Sequence, residues 1–171
     1  MQDELIESVL LDSDNAELRQ LLEKVAALTG MGFVAVARVT ETRWIACQVI
    51  DQIDLDMSPG DELRISTTIC NDIRESGNAV VIDDVSTNDR WLTHPAPSLY
   101  GFKSYASFPI TLADGSFYGT LCAIDPKPRR LQGSTMAATL AAFAADAAKI
   151  LSRGLASRHN DTPGLDQTYA V

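Results

Sequence analysis

GFKSYASFPITLADGSFYGTLCAID, residues 101–125, decides the fold. SYASFPITL (104–112) reads as a strand. Asp114-Gly115 is a hairpin turn, because a tight reversal needs the positive φ that glycine adopts freely. FYGTLCAID (117–125), with Gly119 inside it, is the returning strand. Successive strand side chains alternate, so Tyr105 and Ser107 share a face opposite Ala106 and Phe108. Thr120 and Cys122 share a face of the returning strand, and register decides whether they look to the same side as Tyr105. Pro126 and Pro128 then end strand pairing by removing N–H donors. Asp125 is placed to accept hydrogen bonds from this turn, or to pair with Arg129 or Arg130.

Upstream, FVAVARV (33–39) and WIACQVI (44–50) flank the polar turn TETR and form a second hairpin. AVVIDDV (79–85) reads as a buried strand. Leu5, Ile6, Val9 and Leu10 have helical spacing. Asp14 followed by Glu17 resembles a capping box. It opens a stripe of Leu18, Leu21, Leu22, Val25 and Leu28 that Gly30 closes. ISTTICNDIRESG (65–77) predicts a short helix begun by Ser66 or Thr67 and closed by Gly77. Residues 86–101 predict a broken helical segment, capped by Ser86, Thr87 or Asn88 and interrupted by Pro95 and Pro97. A long alanine-rich helix over 134–153, capped by Ser134 or Thr135, carries a seam of Met136, Leu140, Phe143, Ala147 and Ile150. DQIDLDMSPGDE (51–62) reads as a mobile loop with solvated charges. The order α, ββ, α, β, α, ββ, α predicts a mainly antiparallel sheet in an α+β domain. A helical lead-in occupies 1–15, the domain 16–153, and a flexible tail 154–171.

Composition narrows the function. A chain of 171 residues, 46% hydrophobic, builds one core. The net charge of −9 argues against nucleic acid and against anionic membrane surfaces. Without an apolar run long enough for a bilayer or a basic n-region, the expectation is a cytoplasmic module. Cys47, Cys70 and Cys122 match no CxxC spacing, and with only His94 and His159 beside them a metal site is not expected. They read as buried thiols. Asp83 and Asp84 end a strand, so as neighbours they face opposite sides and do not form an acid–base pair. One caps the following segment and the other pairs with Arg90, or one accepts a hydrogen bond from a ligand. Trp44, Trp91, Tyr100 and Tyr105 are the aromatic side chains best suited to a pocket.

Three pieces in order, SGNAVVIDDVSTNDRW (76–91), the hairpin 101–125 and the DPKPRRL exit (125–131) into a long helix, resemble a GAF domain. The version ending in LCAIDPKPR is similar to GAF modules of bacterial sensor kinases and cyclic-di-GMP enzymes. The resemblance covers about residues 16–150. It implies a central antiparallel sheet of about six strands. Terminal helices would cover one face, with a ligand pocket of loops and short helices on the other. It further implies a small-molecule sensor in signal transduction, of histidine-kinase or two-component type, relaying through the terminal helix to a kinase or cyclase output domain. The ligand is expected to be non-covalent. Covalent bilin attachment needs a thiol in NDRWLTHPAPSLYGFKS (88–104), which has none, so Cys70 would have to substitute. Methionine-sulfoxide reduction, a rare enzymatic use of this fold, needs a reactive cysteine with resolving partners. A ligand-free scaffold is the other alternative. A homodimer through the terminal helices is expected. The candidate ligand-binding set is Trp44, Cys70, Asp83, Asp84, Arg90, Trp91, Tyr100, Tyr105, Ser107, Thr120 and Cys122.

Overall fold

A computed structural model of the chain describes residues 3–132 and 135–160. Helices α1 (Glu4–Ser13) and α2 (Ala16–Thr29) lead into strands β1 (Phe33–Val39) and β2 (Trp44–Asp51). A short strand β3 (Glu62–Leu63), a 3₁₀ turn at 65–67 and helix α3 (Cys70–Ser76) precede β4 (Val80–Ile82). Helices α4 (Asp89–Leu92) and α5 (Pro95–Tyr100) then lead to β5 (Ser104–Thr111), β6 (Phe117–Asp125) and α6 (Met136–Asn160). The six strands form one antiparallel sheet in the order β3-β2-β1-β6-β5-β4. The expected α+β architecture is therefore present.

The caps differ in detail from the expectation. α2 is capped by Asn15, one residue after Asp14, through its side-chain oxygen on the Leu18 amide at 3.0 Å. The helix expected from Ser66 starts at Cys70. The Thr67 and Thr68 hydroxyls donate back to the Arg64 and Ile65 carbonyls, and Thr68 stays extended. Such local bonds compete with the helix for the same backbone. AVVIDDV keeps only three strand residues, because β4 is the sheet edge and pairs with β5 alone. α6 continues past 153 to Asn160. The Thr135 carbonyl accepts the Thr139 amide, while Ser134 and residues 161–171 of the expected tail lie outside the described residues.

The sheet separates two cores. On one face Leu18, Leu22 and Val25 of α2 and Leu140, Ala144 and Leu151 of α6 pack on Val36, Ile45, Phe108 and Leu121. On the other face α3–α5 and the 51–63 segment cover Ala35, Ala46, Tyr105 and Cys122. A bulge between Val36 and Ala37 in the β1–β2 ladder lets Trp44, Ala46 and Val49 share that second face. Central strands approach closely at Gly119, where a Cβ would stand 1.8 Å from the Ala37 carbonyl oxygen.

The exit from β6 is strapped by two carboxylates. Buried Asp125 accepts from the Gly32 amide at 2.8 Å, from the Lys127 amide at 2.8 Å and from Arg129 at 3.3 Å. Arg130 is not its partner. Asp83 accepts from the Leu131 and Gln132 amides at 2.9 and 3.0 Å. On the helical side buried Asp12 accepts from the Tyr118 hydroxyl at 2.8 Å and pairs with Arg158, joining α1, β6 and α6.

Two stability outcomes follow. Gly119→Ala forces β1 and β6 apart and lowers stability by about 2 kcal/mol or more in urea unfolding. Asp125→Ala removes the carboxylate that two amides and a guanidinium share, and costs about 3 kcal/mol in the same assay.

Candidate functional site

A cavity of about 110 Å³ lies between the sheet and a cover made of α3, α5 and the 51–63 segment. Register builds its floor. Tyr105 pairs with Ile124 and Ser107 with Cys122 across β5–β6, while Phe33 pairs with Ile124 across β1–β6. Directly opposed residues point to the same side of a sheet, so Tyr105, Ser107, Thr120 and Cys122 share one face. The register that periodicity leaves open is thereby resolved. Trp44 extends the floor from β2.

The walls come from short elements. Ile69 and Cys70 stand at the start of α3, Ala96 and Tyr100 on α5, and Phe102 just after it. α5 is held by His94, whose Nδ1 accepts the Ala96 amide at 3.1 Å. The other ring nitrogen therefore carries the hydrogen that points at Asp72, 3.3 Å away on α3. His94 is thus a cap and a strut between two walls. Tyr100 shares a hydrogen bond with Thr67.

The acidic stretch 51–62 forms the remaining wall. Asp51 accepts from the amides of Ile53, Leu55 and Met57, and curls the chain back over the sheet. Leu55, Met57 and then Leu63 face the cavity. The segment is an ordered wall tied by its own carboxylate. Its sequence carried a signal for this: Ile53, Leu55 and Met57 recur at every second position between aspartates. Asp54 and Asp56 take positive φ, 59° and 57°, at the alternate positions.

Among the expected site residues, Trp44, Cys70, Tyr100, Tyr105 and Cys122 line the cavity. Ser107 and Thr120 lie beside them, with hydroxyls 3.9 and 3.2 Å from the Cys70 sulfur. Four others do not reach it. Asp83 straps the β6 exit, and Asp84 caps the 3₁₀ turn at 85–87 through the Ser86 amide. Arg90 does not pair with either aspartate, and its guanidinium lies 4.5 Å over the Trp91 ring. Trp91 is buried beside His94 in the same core but away from the opening. The sequence reading missed the apolar contributors Phe33, Leu55, Met57, Leu63, Ile69, Ala96, Phe102 and Ile124, and also Thr68.

Among the described residues the lining contains no Asp, Glu, Lys, Arg or His. Trp44, 2% exposed, has a buried indole N–H without a hydrogen-bond partner among the described residues. Cys70 and Cys122 both line the cavity. The neighbouring Cys122 thiol draws the Cys70 thiol below its ordinary value against the opposing effect of burial, with Thr120 and Tyr105 contributing. The Cys122 thiol is pushed well up by the same partner and by burial. Cys47 sits on the opposite face, where burial pushes it up to about 12. Among the described residues no cluster of His, Cys, Asp and Glu is suited to a metal ion. No described helix is long and apolar enough to cross a membrane.

Comparison with known proteins agrees with this architecture. No curated protein matches the sequence. The GAF domain of an Acinetobacter phosphoenolpyruvate-protein phosphotransferase superposes with a TM-score of 0.67 at 11% identity, over 93% of this chain and 99% of that one. GAF-B of DevS from Mycobacterium smegmatis gives 0.64 at 13% identity, over 83% and 95%. A type II free methionine-R-sulfoxide reductase from Thermoplasma acidophilum gives 0.62 at 13% identity, over 87% and 96%. At these identities the likeness is one of fold. The sequence itself matches the GAF domain family over residues 15–151, and the chain belongs to that family of signalling and sensor modules.

Proposed function

We propose that the chain is a sensor module that binds a neutral, largely apolar small molecule non-covalently in the cavity above Tyr105 and Cys122. Its occupancy is relayed through α6 to the output domain of a signal-transduction protein, of sensor-kinase or cyclase type. The observation that carries this reading is a lining without Asp, Glu, Lys, Arg or His, in which the Trp44 indole N–H has no hydrogen-bond partner among the described residues. An anionic nucleotide or a porphyrin or bilin propionate would be desolvated there without a counter-ion, at a cost of several kcal/mol. A ligand with an aromatic or aliphatic body and one neutral acceptor, such as a carbonyl or ring nitrogen, would satisfy the indole N–H and fill the apolar walls.

The relay has a covalent route and a packing route. β6 alternates Cys122 and Ile124 toward the cavity with Leu121 and Ala123 toward the helices. It then runs through the Asp125 and Asp83 straps into α6. The Tyr118–Asp12–Arg158 bonds tie the far end of α6 back to the same strand. A second copy would cover exposed Leu11 and Leu28 together with the exposed alanines 141, 142 and 145 of α6.

A thermal-shift screen tests the reading. Neutral heteroaromatic and carbonyl compounds should include one that stabilises the protein by about 2.7 kcal/mol at a hundred times its Kd. Trp44→Phe should weaken that compound about fivefold, the share of one hydrogen bond. Stabilisation by anionic nucleotides alone would overturn the neutral-ligand reading, and no shift with any compound would favour a ligand-free scaffold. For the relay, Asp12→Asn should raise amide exchange over residues 150–158 about tenfold by releasing Arg158. Ligand affinity should stay unchanged.

A further inference from the structure

The cavity floor carries chemistry that non-covalent binding does not need. Three hydroxyls converge on the sulfur of Cys70: Thr120 Oγ1 at 3.2 Å, Tyr105 OH at 3.5 Å and Ser107 Oγ at 3.9 Å. Ser107 is the cross-strand partner of Cys122, which faces the same cavity. Cys70 reaches this point from α3, packed over the strand that carries Cys122. A thiolate at this spot is stabilised by hydroxyl donors, and a second thiol, Cys122, lines the same cavity on the strand that α3 packs over. The third cysteine, Cys47, is on the opposite face, where its S–H donates to the Val9 carbonyl at 3.8 Å.

We propose that Cys70 and Cys122 form a peroxide-reactive dithiol, with Cys70 the attacking sulfur and Cys122 the resolving one. The oxidant is an organic hydroperoxide small and apolar enough to enter the cavity. The Cys70 thiolate attacks the outer peroxide oxygen. The S–O bond forms, the O–O bond breaks, and the leaving alkoxide takes up a proton as the alcohol. Cys70 is then a sulfenic acid. Cys122 attacks its sulfur, the S–S bond forms, the S–O bond breaks, and hydroxide leaves with the Cys122 proton as water. The balance is two thiols and one hydroperoxide to one disulfide, one alcohol and one water, with the sulfurs oxidised and the peroxide reduced. The hydroxyls of Thr120, Tyr105 and Ser107 supply the hydrogen bonds that hold the thiolate. Cys47 lacks both a second thiol and the cavity, and stays reduced.

The step does not depend on the neutral ligand proposed above. The experiment treats the full chain with sub-stoichiometric cumene hydroperoxide, blocks the remaining thiols with iodoacetamide after denaturation, and maps peptides by mass spectrometry. The expected result is a cross-linked Cys70–Cys122 peptide with Cys47 fully alkylated, formed at least about tenfold faster than oxidation of free cysteine at the same pH. In Cys122→Ser, dimedone should trap a sulfenic acid at Cys70. In Cys70→Ser, Cys122 should remain a thiol. A rate no faster than free cysteine, or equal oxidation of Cys47, would overturn the proposal. The wild-type readout stands alone if either variant fails to fold.

Discussion

A single buried carboxylate holds the construction together. Asp125 ends β6, yet its oxygens reach the Gly32 amide that opens β1, the Lys127 amide of the following turn, and Arg129. It therefore fixes three things: where the central ladder stops, where the chain turns toward α6, and how the α2–β1 junction meets that turn. A buried carboxylate is tolerable only when its acceptor capacity is filled, and here neighbouring amides and a guanidinium fill it. Asp83 repeats the device from the other side, taking two successive amides after Arg129. The chain leaving β6 is thus held by two acceptors on different strands' ends, with Leu131 buried in the core beside them.

That constraint matters because the sheet is one layer thick between two different interiors. Strand parity assigns each residue to one of them, and an odd residue would invert the assignment. The bulge in β1–β2 does this locally. Cys47 and Gln48 both turn to the helical side, Gln48 to donate to the Ser13 carbonyl at 2.8 Å, and Val49 returns to the cavity side. Gly119 serves the same end in β6, since any side chain there would meet the β1 backbone and disturb the register that places Thr120 and Cys122.

Local chemistry made much of this legible. The β5–β6 hairpin and β1–β2 follow from apolar runs and their turns, and Gly30 and Gly77 close helices with φ of 70° and 73° as C′ glycines do. Five cavity residues were reachable because aromatic and thiol side chains on strands and short helices stand out. The rest was hidden for identifiable reasons. Charges at 51, 54 and 56 masked the apolar alternation of Ile53, Leu55 and Met57. Asp83, Asp84 and Arg90 looked like ligand groups, but backbone amides and an indole ring claimed them. Cross-strand register, which no periodicity states, decided whether Cys122 and Tyr105 shared a face.

The two faces also treat the same functional groups differently. On the helical face Tyr118, Asp12 and Cys47 are closed off by Arg158 and by backbone, so their polarity is spent on holding helices in place. On the cavity face Tyr105, Thr120, Ser107 and the two thiols have only one another and the open volume. Polar groups that satisfy each other weakly, at sulfur distances, can exchange partners at little cost when a ligand or oxidant arrives. Groups locked by a buried ion pair cannot. The domain thus carries its adaptable polarity on the cavity face and its fixed polarity on the helical face, with β5 and β6 contributing side chains to both.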